Sequence, residues 1–265
     1  MKKLFFSFLF AACSYFSEGH AQTGVSVSPP RVYFESDRGN SNTQTVTVTN
    51  VSTKNSLDFA VTLGDWEYDN KGENLMYTAN TLPSSCTSWI TIKKEDNYFT
   101  LAPGERKDID VTITVPNKLS DKSVSTAILY VSQMNPVDDV DSKGANIKVS
   151  IRSGIKLFHK LPSAKTKKLE IENLVYNKSN KTLDLFFENK GDVWADGKVY
   201  TDLVNTQNGK KVSLEAIIFY TMPGNKREMN ISLPNTLEKG NYTASVMLDC
   251  ENDNLEIGEL NFTYE

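Results

Sequence analysis

The chain has 265 residues, of which 23% are charged, and its formal net charge is −4. A chain of this length has room for two domains of ordinary size. The near balance of charge provides no basic footprint, so a nucleic-acid-binding protein is not predicted. After the first twenty residues the long apolar periodicity of helices is absent, whereas aromatic and β-branched residues are frequent. The composition therefore predicts a globular protein rich in β-structure.

The N-terminal segment predicts export. Two lysines precede an apolar run over residues 4–12, and a small-x-small cleavage pattern follows at residues 19–21. The apolar run is too short to span a bilayer as a helix. We expect a signal peptide over residues 1–21 and a periplasmic mature protein. A loose resemblance to a lipoprotein signal leaves lipidation of Cys13 as the alternative.

Residues 22–162 predict a first β-sandwich domain. Short segments with alternating apolar residues are separated by turn signals, which is typical of antiparallel sandwiches. A Pro-Gly pair at residues 103–104 presets a tight turn. The predicted strands cover residues 25–27, 31–34, 43–49, 57–66, 88–92, 98–101, 109–115, 126–131 and 146–158.

The alternation stops over residues 161–168 and then resumes, so we expect a second domain over residues 163–265. Its predicted strands cover residues 169–171, 183–187, 193–203, 212–219, 228–233, 242–248 and 255–264. The predicted fold class is all-β, with two tandem immunoglobulin-like β-sandwich domains after a cleaved signal peptide.

The segment 146–158 is the most informative part of the sequence. Ile147, Val149 and Ile151 alternate with polar residues, as in a half-buried strand. Lys156 follows five residues after Ile151. An apolar row near a sheet edge can complete the sheet of another protein, and a cation at its end can hold that partner's terminal carboxylate. The combination favours a chaperone over an enzyme.

Other chemistry-bearing residues have simpler interpretations. Cys86 and Cys250 fall in different predicted domains and are expected to be free, buried thiols. The acidic residues Asp138, Asp139 and Asp141 predict a solvated hairpin tip, because the segment lacks the glycine and terminal glutamate of a calcium loop.

The sequence offers almost nothing for catalysis. Of its two histidines, His20 belongs to the signal peptide and His159 lies beside the predicted linker, without a nucleophile motif or metal-ligand spacing. No glycine-rich phosphate loop is present. A pair of carboxylates brought together by the fold is the one enzymatic possibility that the sequence leaves open. We predict no enzyme, no cofactor and no metal site.

At this point the first half resembles the periplasmic pilus chaperones of the chaperone–usher pathway, the PapD-like family. The matching segments run in the family's order over residues 24–162, and the second half is only generically immunoglobulin-like. The resemblance rests on the first strand at residues 26–34, the strand ending in Asn50, Trp66, the Pro-Gly turn at residues 101–105, the strand from 128 to Pro136, and the segment 147–158.

The resemblance implies specific roles for several residues. Arg31 and Lys156 take the positions of the cationic pair that holds a subunit's C-terminal carboxylate in the cleft between the domains. Ile147, Val149 and Ile151 take the positions that fill the open groove of the subunit by donor-strand complementation. The implied partners are pilus or surface protein subunits. An outer-membrane usher is left open, and neither nucleic acid nor a small-molecule substrate is implied.

The sequence departs from the family pattern near the domain boundary. Lys160 stands where the family usually has an arginine before the inter-domain proline, and Val124 or Ser125 replaces an acidic residue. The inter-domain salt bridge typical of the family is therefore not predicted. The alternative function is a secreted immunoglobulin-like scaffold or adhesion module that binds a protein or a glycan. In such a scaffold the face of residues 147–151 would be covered and the two cations would lie apart.

Overall fold

The computed structural model describes residues 24–119, 122–140, 143–250 and 255–265. The predicted signal peptide and Cys13 lie outside these ranges. The described chain consists almost entirely of β-strands, and the two short helices in it are 3₁₀ turns at Thr87–Trp89 and Lys94–Asp96. Within these ranges, no helix is long and apolar enough to cross a membrane.

The first domain is a sandwich of two sheets with an additional hairpin. One sheet has the order β1-β3-β8-β6; the other has the order β2-β12-β9-β4-β5, with β7 also paired to β4; β10 and β11 form the hairpin. The strands are β1 (Val25–Ser28), β2 (Arg31–Glu35), β3 (Ser41–Asn50), β4 (Leu57–Tyr68), β5 (Asn74–Thr78), β6 (Ile90–Thr91), β7 (Tyr98–Leu101), β8 (Arg106–Thr114), β9 (Val124–Gln133), β10 (Val137–Val140), β11 (Asn146–Val149) and β12 (Arg152–Lys160).

The first segment of the domain supplies an edge strand to each sheet. Pro29 and Pro30 separate β1 from β2, because proline lacks the N–H that a continuous strand would need. β1 pairs antiparallel with β3, whereas β2 crosses to the other sheet and pairs parallel with β12. This crossing places Arg31 beside the segment that the sequence analysis singled out.

The core of the first domain follows the expected alternation. Ile109, Val111 and Ile113 on β8 are completely buried, and the residues between them face solvent. They pack against the inward side chains of β12, Ile155 and Leu157. Period-two burial is what a sandwich requires of each inner face.

β9 departs from the predicted alternation. Residues 124–129 are all buried, on both faces of the strand. Ala127 and Leu129 belong to the sandwich core, whereas Ile128 packs on the opposite face near Trp194 of the second domain. The second domain covers this part of the outer face, and that contact accounts for the apolar residues found there.

The single strand predicted over residues 146–158 is wrong in one respect, because β11 and β12 are separated at Ser150 and Ile151. Opposite this break, residues 134–136 form no strand pairs. Asn135 instead uses its side chain to accept a hydrogen bond from the Asp58 N–H at 2.8 Å, and Pro136 has no N–H to offer. The hairpin β10–β11 is consequently a separate sheet.

The hairpin also corrects the acidic-tip prediction. Asp138 and Asp139 lie on β10 rather than in a loop, and Asp138 forms an exposed ion pair with Lys148 at 2.8 Å. Asp141 lies outside the described residues.

The second domain has its own two sheets and its own core. One sheet has the order β13-β14-β18 and the other β16-β15-β19-β20, with β17 also paired to β15. The core between them is centred on Leu185, Phe187, Val199 and Val246. The strands are β13 (Leu169–Asn177), β14 (Thr182–Asn189), β15 (Ala195–Asn205), β16 (Lys211–Ser213), β17 (Ile217–Thr221), β18 (Lys226–Ser232), β19 (Gly240–Asp249) and β20 (Glu256–Tyr264).

One strand predicted in this domain divides into two. The predicted segment 212–219 corresponds to β16 and β17, which pair with opposite ends of β15. The domain boundary predicted between residues 162 and 163 falls in the stretch between β12 and β13 and stays a prediction. Cys86 and Cys250 are both buried and free, which confirms the expected thiols.

Candidate functional site

Arg31 and Lys156 lie side by side on one rung of a sheet. The parallel pairing of β2 with β12 places Lys156 opposite Arg31. Their strand neighbours Val32 and Leu157 are buried in the sandwich core, so both cationic side chains project from the outer face, which faces the second domain. Adjacent strands lie about 4.8 Å apart, and the two positive charges are therefore close neighbours.

A rung of the second domain meets this pair. On β15 and β17, Asp196 is the register partner of Tyr220. The Nη1 of Arg31 donates to Oδ2 of Asp196 at 3.0 Å, and its guanidinium carbon lies 4.1 Å from the centroid of the Tyr220 ring. The side chains of Arg31 and Asp196 are 27% and 37% exposed, so the ion pair is accessible at the edge of the cleft.

Lys156 binds neutral groups only. Its Nζ donates to the Tyr68 hydroxyl at 3.1 Å and to Oδ1 of Asn74 at 2.5 Å. The ammonium also lies 4.1 Å from the ring centroid of Trp66 and 4.2 Å from that of Tyr68. Both rings attract the cation by their negative π-faces. Asn74 belongs to β5, a strand that the sequence analysis did not predict.

The cleft brings two cations, Arg31 and Lys156, close to the carboxylate of Asp196. Burial, together with the positive charge of Arg31, lowers the pKa of Lys156 to about 8. Burial also raises the pKa of the Asp196 carboxyl, although Arg31 opposes that effect. An additional carboxylate would relieve the repulsion between the two cations.

Aromatic rings that the sequence analysis missed line the same face. Tyr33 stacks on Phe158 at a centroid distance of 5.0 Å, and Trp194 of the second domain lies 5.3 Å from each of them. Trp66 contacts Phe158 edge-on at 5.1 Å. The alternation of the two strands could have revealed these rings, because Tyr33 and Phe158 stand next to residues that point into the core and must therefore point outward. Large rings at such positions indicate a covered outer face.

Of the three predicted donor-strand residues, two lie on one strand and the third lies outside it. Ile147 and Val149 share one face of β11, where Ile147 is 40% exposed and Val149 is half-buried. Ile151 lies in the break between β11 and β12, half-buried, with its Cδ1 close against Gly24. The face that the resemblance assigns to a partner is thus open at Ile147 and becomes more covered toward β12.

Lys160, at the domain boundary, does not contribute an ion pair between the domains in the described residues. Lys160 pairs with Glu35 of its own domain at 3.0 Å, and the inter-domain ion pair is that of Arg31 with Asp196. A separate contact joins the turn after β4 to β18, where Nη2 of Arg227 donates to the carbonyl of Lys71 at 3.0 Å.

The arrangement can bind a carboxylate, because it presents a guanidinium and an ammonium side by side. His159 is buried and its Nε2 lies 3.0 Å from the carbonyl oxygen of Ser36, away from the cationic pair. Burial lowers its pKa. In the described ranges, no three His, Cys, Asp or Glu side chains are grouped so that they could hold a metal ion.

Comparison with known proteins identifies the fold. No family model and no curated protein matches the sequence. Among solved structures, a chain of the CsuC–CsuE chaperone–tip adhesion subunit complex from Acinetobacter baumannii is 14% identical, with a TM-score of 0.51, and the alignment covers 89% of this chain and 97% of that one.

Two chaperones solved alone are similar over both domains. The E. coli chaperone DraB is 17% identical with a TM-score of 0.49, covering 92% of this chain and 96% of that one. The YadV chaperone is 16% identical with a TM-score of 0.47, covering 90% and 99%. The chain has the two-domain β-sandwich fold of pilus chaperones, which confirms the predicted fold class and the resemblance at the level of fold.

Proposed function

We propose that this protein is a periplasmic chaperone that binds and caps pilus or surface-fibre subunits by donor-strand complementation. The observation that carries the proposal is the rung formed by Arg31 and Lys156, which faces the cleft between the two domains. The sequence resemblance had assigned these two residues to one site, although 124 intervening residues separate them in the chain.

The cationic rung fits the terminal carboxylate of a polypeptide. A carboxylate has two oxygens, and it can accept from the guanidinium of Arg31 and the ammonium of Lys156 at once. Charge-assisted hydrogen bonds of this kind contribute about 1.5–3 kcal/mol each. Because the carboxylate marks the end of the subunit chain, its capture also fixes the register of the segment that precedes it.

The hairpin β10–β11 fits the role of the donated strand. Ile147 and Val149 offer an apolar face on an edge strand, and an unfinished subunit sheet has unpaired backbone groups beside an apolar groove. Each such side chain contributes roughly 1.5–3 kcal/mol when it becomes fully buried. No cofactor, ATP or catalytic step is part of this proposal, and release would follow exchange with a competing strand.

The test is co-purification from a periplasmic extract. Tagged wild-type protein is compared with the double variant Arg31→Ala, Lys156→Ala and with a matched control, Arg106→Ala, Lys54→Ala, which removes two exposed cations of the same domain. We expect a small β-rich subunit to accompany the wild type and the control, and to be lost from the first variant by more than tenfold.

Two outcomes would contradict the proposal. If the same partners accompany all three proteins, the cationic rung is ordinary surface and the protein is a scaffold with another binding site. If the wild type carries no subunit from a strain that assembles surface fibres, the chaperone function itself is wrong. Thermal unfolding of the purified proteins shows whether a loss of partners reflects a loss of folding.

A further inference from the structure

The anchor for a partner's carboxylate already holds a carboxylate of its own chain. Asp196 accepts a hydrogen bond from Nη1 of Arg31 at 3.0 Å. Asp196 also lies close enough to Lys156 that the two side chains shift each other's pKa. The second domain thus supplies, from its own sheet, the same chemical group that the cleft would take from a subunit.

The position of Asp196 is set by the sheet, not by a flexible loop. Asp196 and Tyr220 are register partners on β15 and β17. The Tyr220 ring packs on the Arg31 guanidinium at 4.1 Å while Asp196 binds one of its nitrogens. One rung of the second domain therefore orients the Arg31 guanidinium and places a carboxylate against its charge.

Resting on the function proposed above, we infer that Asp196 is a built-in competitor for the subunit's terminal carboxylate. It occupies Nη1 of Arg31 in the subunit-free protein and repels an incoming carboxylate, which lowers the affinity of the cleft and eases release of the subunit. Lys156, whose partners Tyr68 and Asn74 are neutral, is the cation that an incoming carboxylate reaches without displacing another anion.

The charges of the three side chains support this assignment. Arg31 and Lys156 contribute two positive charges and Asp196 one negative charge, so these three side chains retain one net positive charge for a partner. Without Asp196 they would bear two. Lys167 also lies close enough to Asp196 to lower the pKa of that carboxyl, and it adds the same positive charge in both cases. Because like charges within a few ångströms of a binding site act against association, the carboxylate of Asp196 weakens the binding of another carboxylate. A permanently stronger anchor would hold the subunit against the strand exchange that releases it.

The test measures how much of the binding depends on a terminal carboxylate. Two acetylated peptides of alternating valine and threonine are titrated calorimetrically into the purified full-length protein; one has a free C-terminal carboxylate and the other a C-terminal amide. The ratio of their affinities is the readout. We expect Asp196→Asn, which keeps the side-chain shape and a hydrogen-bond acceptor, to raise this ratio about three- to tenfold.

The matched control is Asp202→Asn on the same strand. Asp202 forms an exposed ion pair with Lys211 at 2.8 Å, remote in register from the cationic rung. It should leave the ratio unchanged, and Asp196→Glu should leave it close to that of the wild type. Circular dichroism melting verifies that each variant is folded.

The outcomes separate the two proposals. If the wild type prefers the carboxylate peptide and loses that preference in Arg31→Ala, Lys156→Ala, but Asp196→Asn does not raise the ratio, only the competitor role is wrong. If neither the wild type nor Asp196→Asn distinguishes the two peptides, or if neither binds the carboxylate peptide, the competitor role and the carboxylate anchor are both wrong.

Discussion

Lys156 is a partly buried lysine whose surroundings disfavour the charged form of its side chain. Burial and the neighbouring guanidinium of Arg31 bring its pKa down to about 8, while the rings of Trp66 and Tyr68 stabilise the ammonium from the other side. A lysine poised in this way is charged at neutral pH and gains more from an arriving carboxylate than a solvated lysine would, because the carboxylate relieves a repulsion that already exists.

The lowered pKa gives opposite pH dependences for binding and for stability. We expect affinity for the carboxylate peptide to fall as the pH rises above about 8, because the neutral amine no longer attracts an anion. The free energy of unfolding should rise over the same range, since the unfolded chain, with a lysine pKa near 10.5, then binds more protons than the folded chain. Calorimetric titration and thermal unfolding across this range measure both quantities.

The control for this prediction is Lys156→Met, which keeps the length of the side chain without its charge. Neither trend should persist in that variant. Equal pH dependence in the wild type and in Lys156→Met would mean that another group governs both effects.

At the scale of elements, the hairpin β10–β11 is set apart from the sandwich. Residues 133–136 separate the β10–β11 pairing from the β9–β12 pairing. In this stretch the Asn135 side chain accepts a hydrogen bond from the N–H of Asp58 near the start of β4. The hairpin packs against the core of its own domain through Val137 on β10, and the largely exposed residues of β11 add little to that core. An element that is only loosely integrated can pair with a partner without unfolding its parent domain.

The two faces of β11 allow a matched test of this separation. Ile147→Ser alters the apolar face, and Lys148→Ser alters the opposite face, where Lys148 pairs with Asp138. We expect both variants to change the free energy of unfolding by less than about 0.5 kcal/mol in urea titrations. Only Ile147→Ser should reduce the co-purified subunit, by about tenfold, because a buried isoleucine is lost from the complex. Equal reductions would assign the effect to the hairpin as a whole and not to its apolar face.

At the scale of the whole molecule, two further contacts, besides the Arg31–Asp196 ion pair and single hydrogen bonds such as that from Ser123 to Asp192, hold the domains together. One is the aromatic cluster around Phe158 and Trp194. The other is Arg227 on β18, which is 5% exposed and donates to the carbonyls of Tyr220 at 2.5 Å and of Lys71 at 3.0 Å. Arg227 thus ties the strand that carries Tyr220 to the turn after β4 in the first domain.

Removal of Arg227 should loosen the domain arrangement. We expect Arg227→Ala to lower the free energy of unfolding by about 1–3 kcal/mol, since a buried guanidinium and its two hydrogen bonds to carbonyls are lost. It should also broaden the distance distribution measured by small-angle X-ray scattering. The exposed Arg106→Ala is the control and should change neither quantity. Unaltered scattering in Arg227→Ala would show that the remaining contacts between the domains are sufficient to set their arrangement.

Much of the fold could be predicted because local patterns coincide with the final packing. The inner strands such as β8 alternate in sequence as they do in burial, and the Pro-Gly and Pro-Pro pairs mark real turns. β9 could not be predicted in this way, because its second buried face depends on residues more than sixty positions away, such as Trp194. The short strand β5 escaped prediction for a related reason, because it forms only as the partner of the longer β4.

The sequence by itself determined that the chain is β-rich, that its strands divide into two domains, and that Arg31, Lys156 and the residues around Ile147 are the candidate site residues. Those features depend on period-two burial, turn chemistry and motif order, which are local properties of the chain. Only the tertiary structure decided that Arg31 and Lys156 form one rung, that Asp196 and Tyr220 face them, and that Ile151 is separated from the β11 face. These relations depend on strand register and on the contact between domains, and long-range packing sets both.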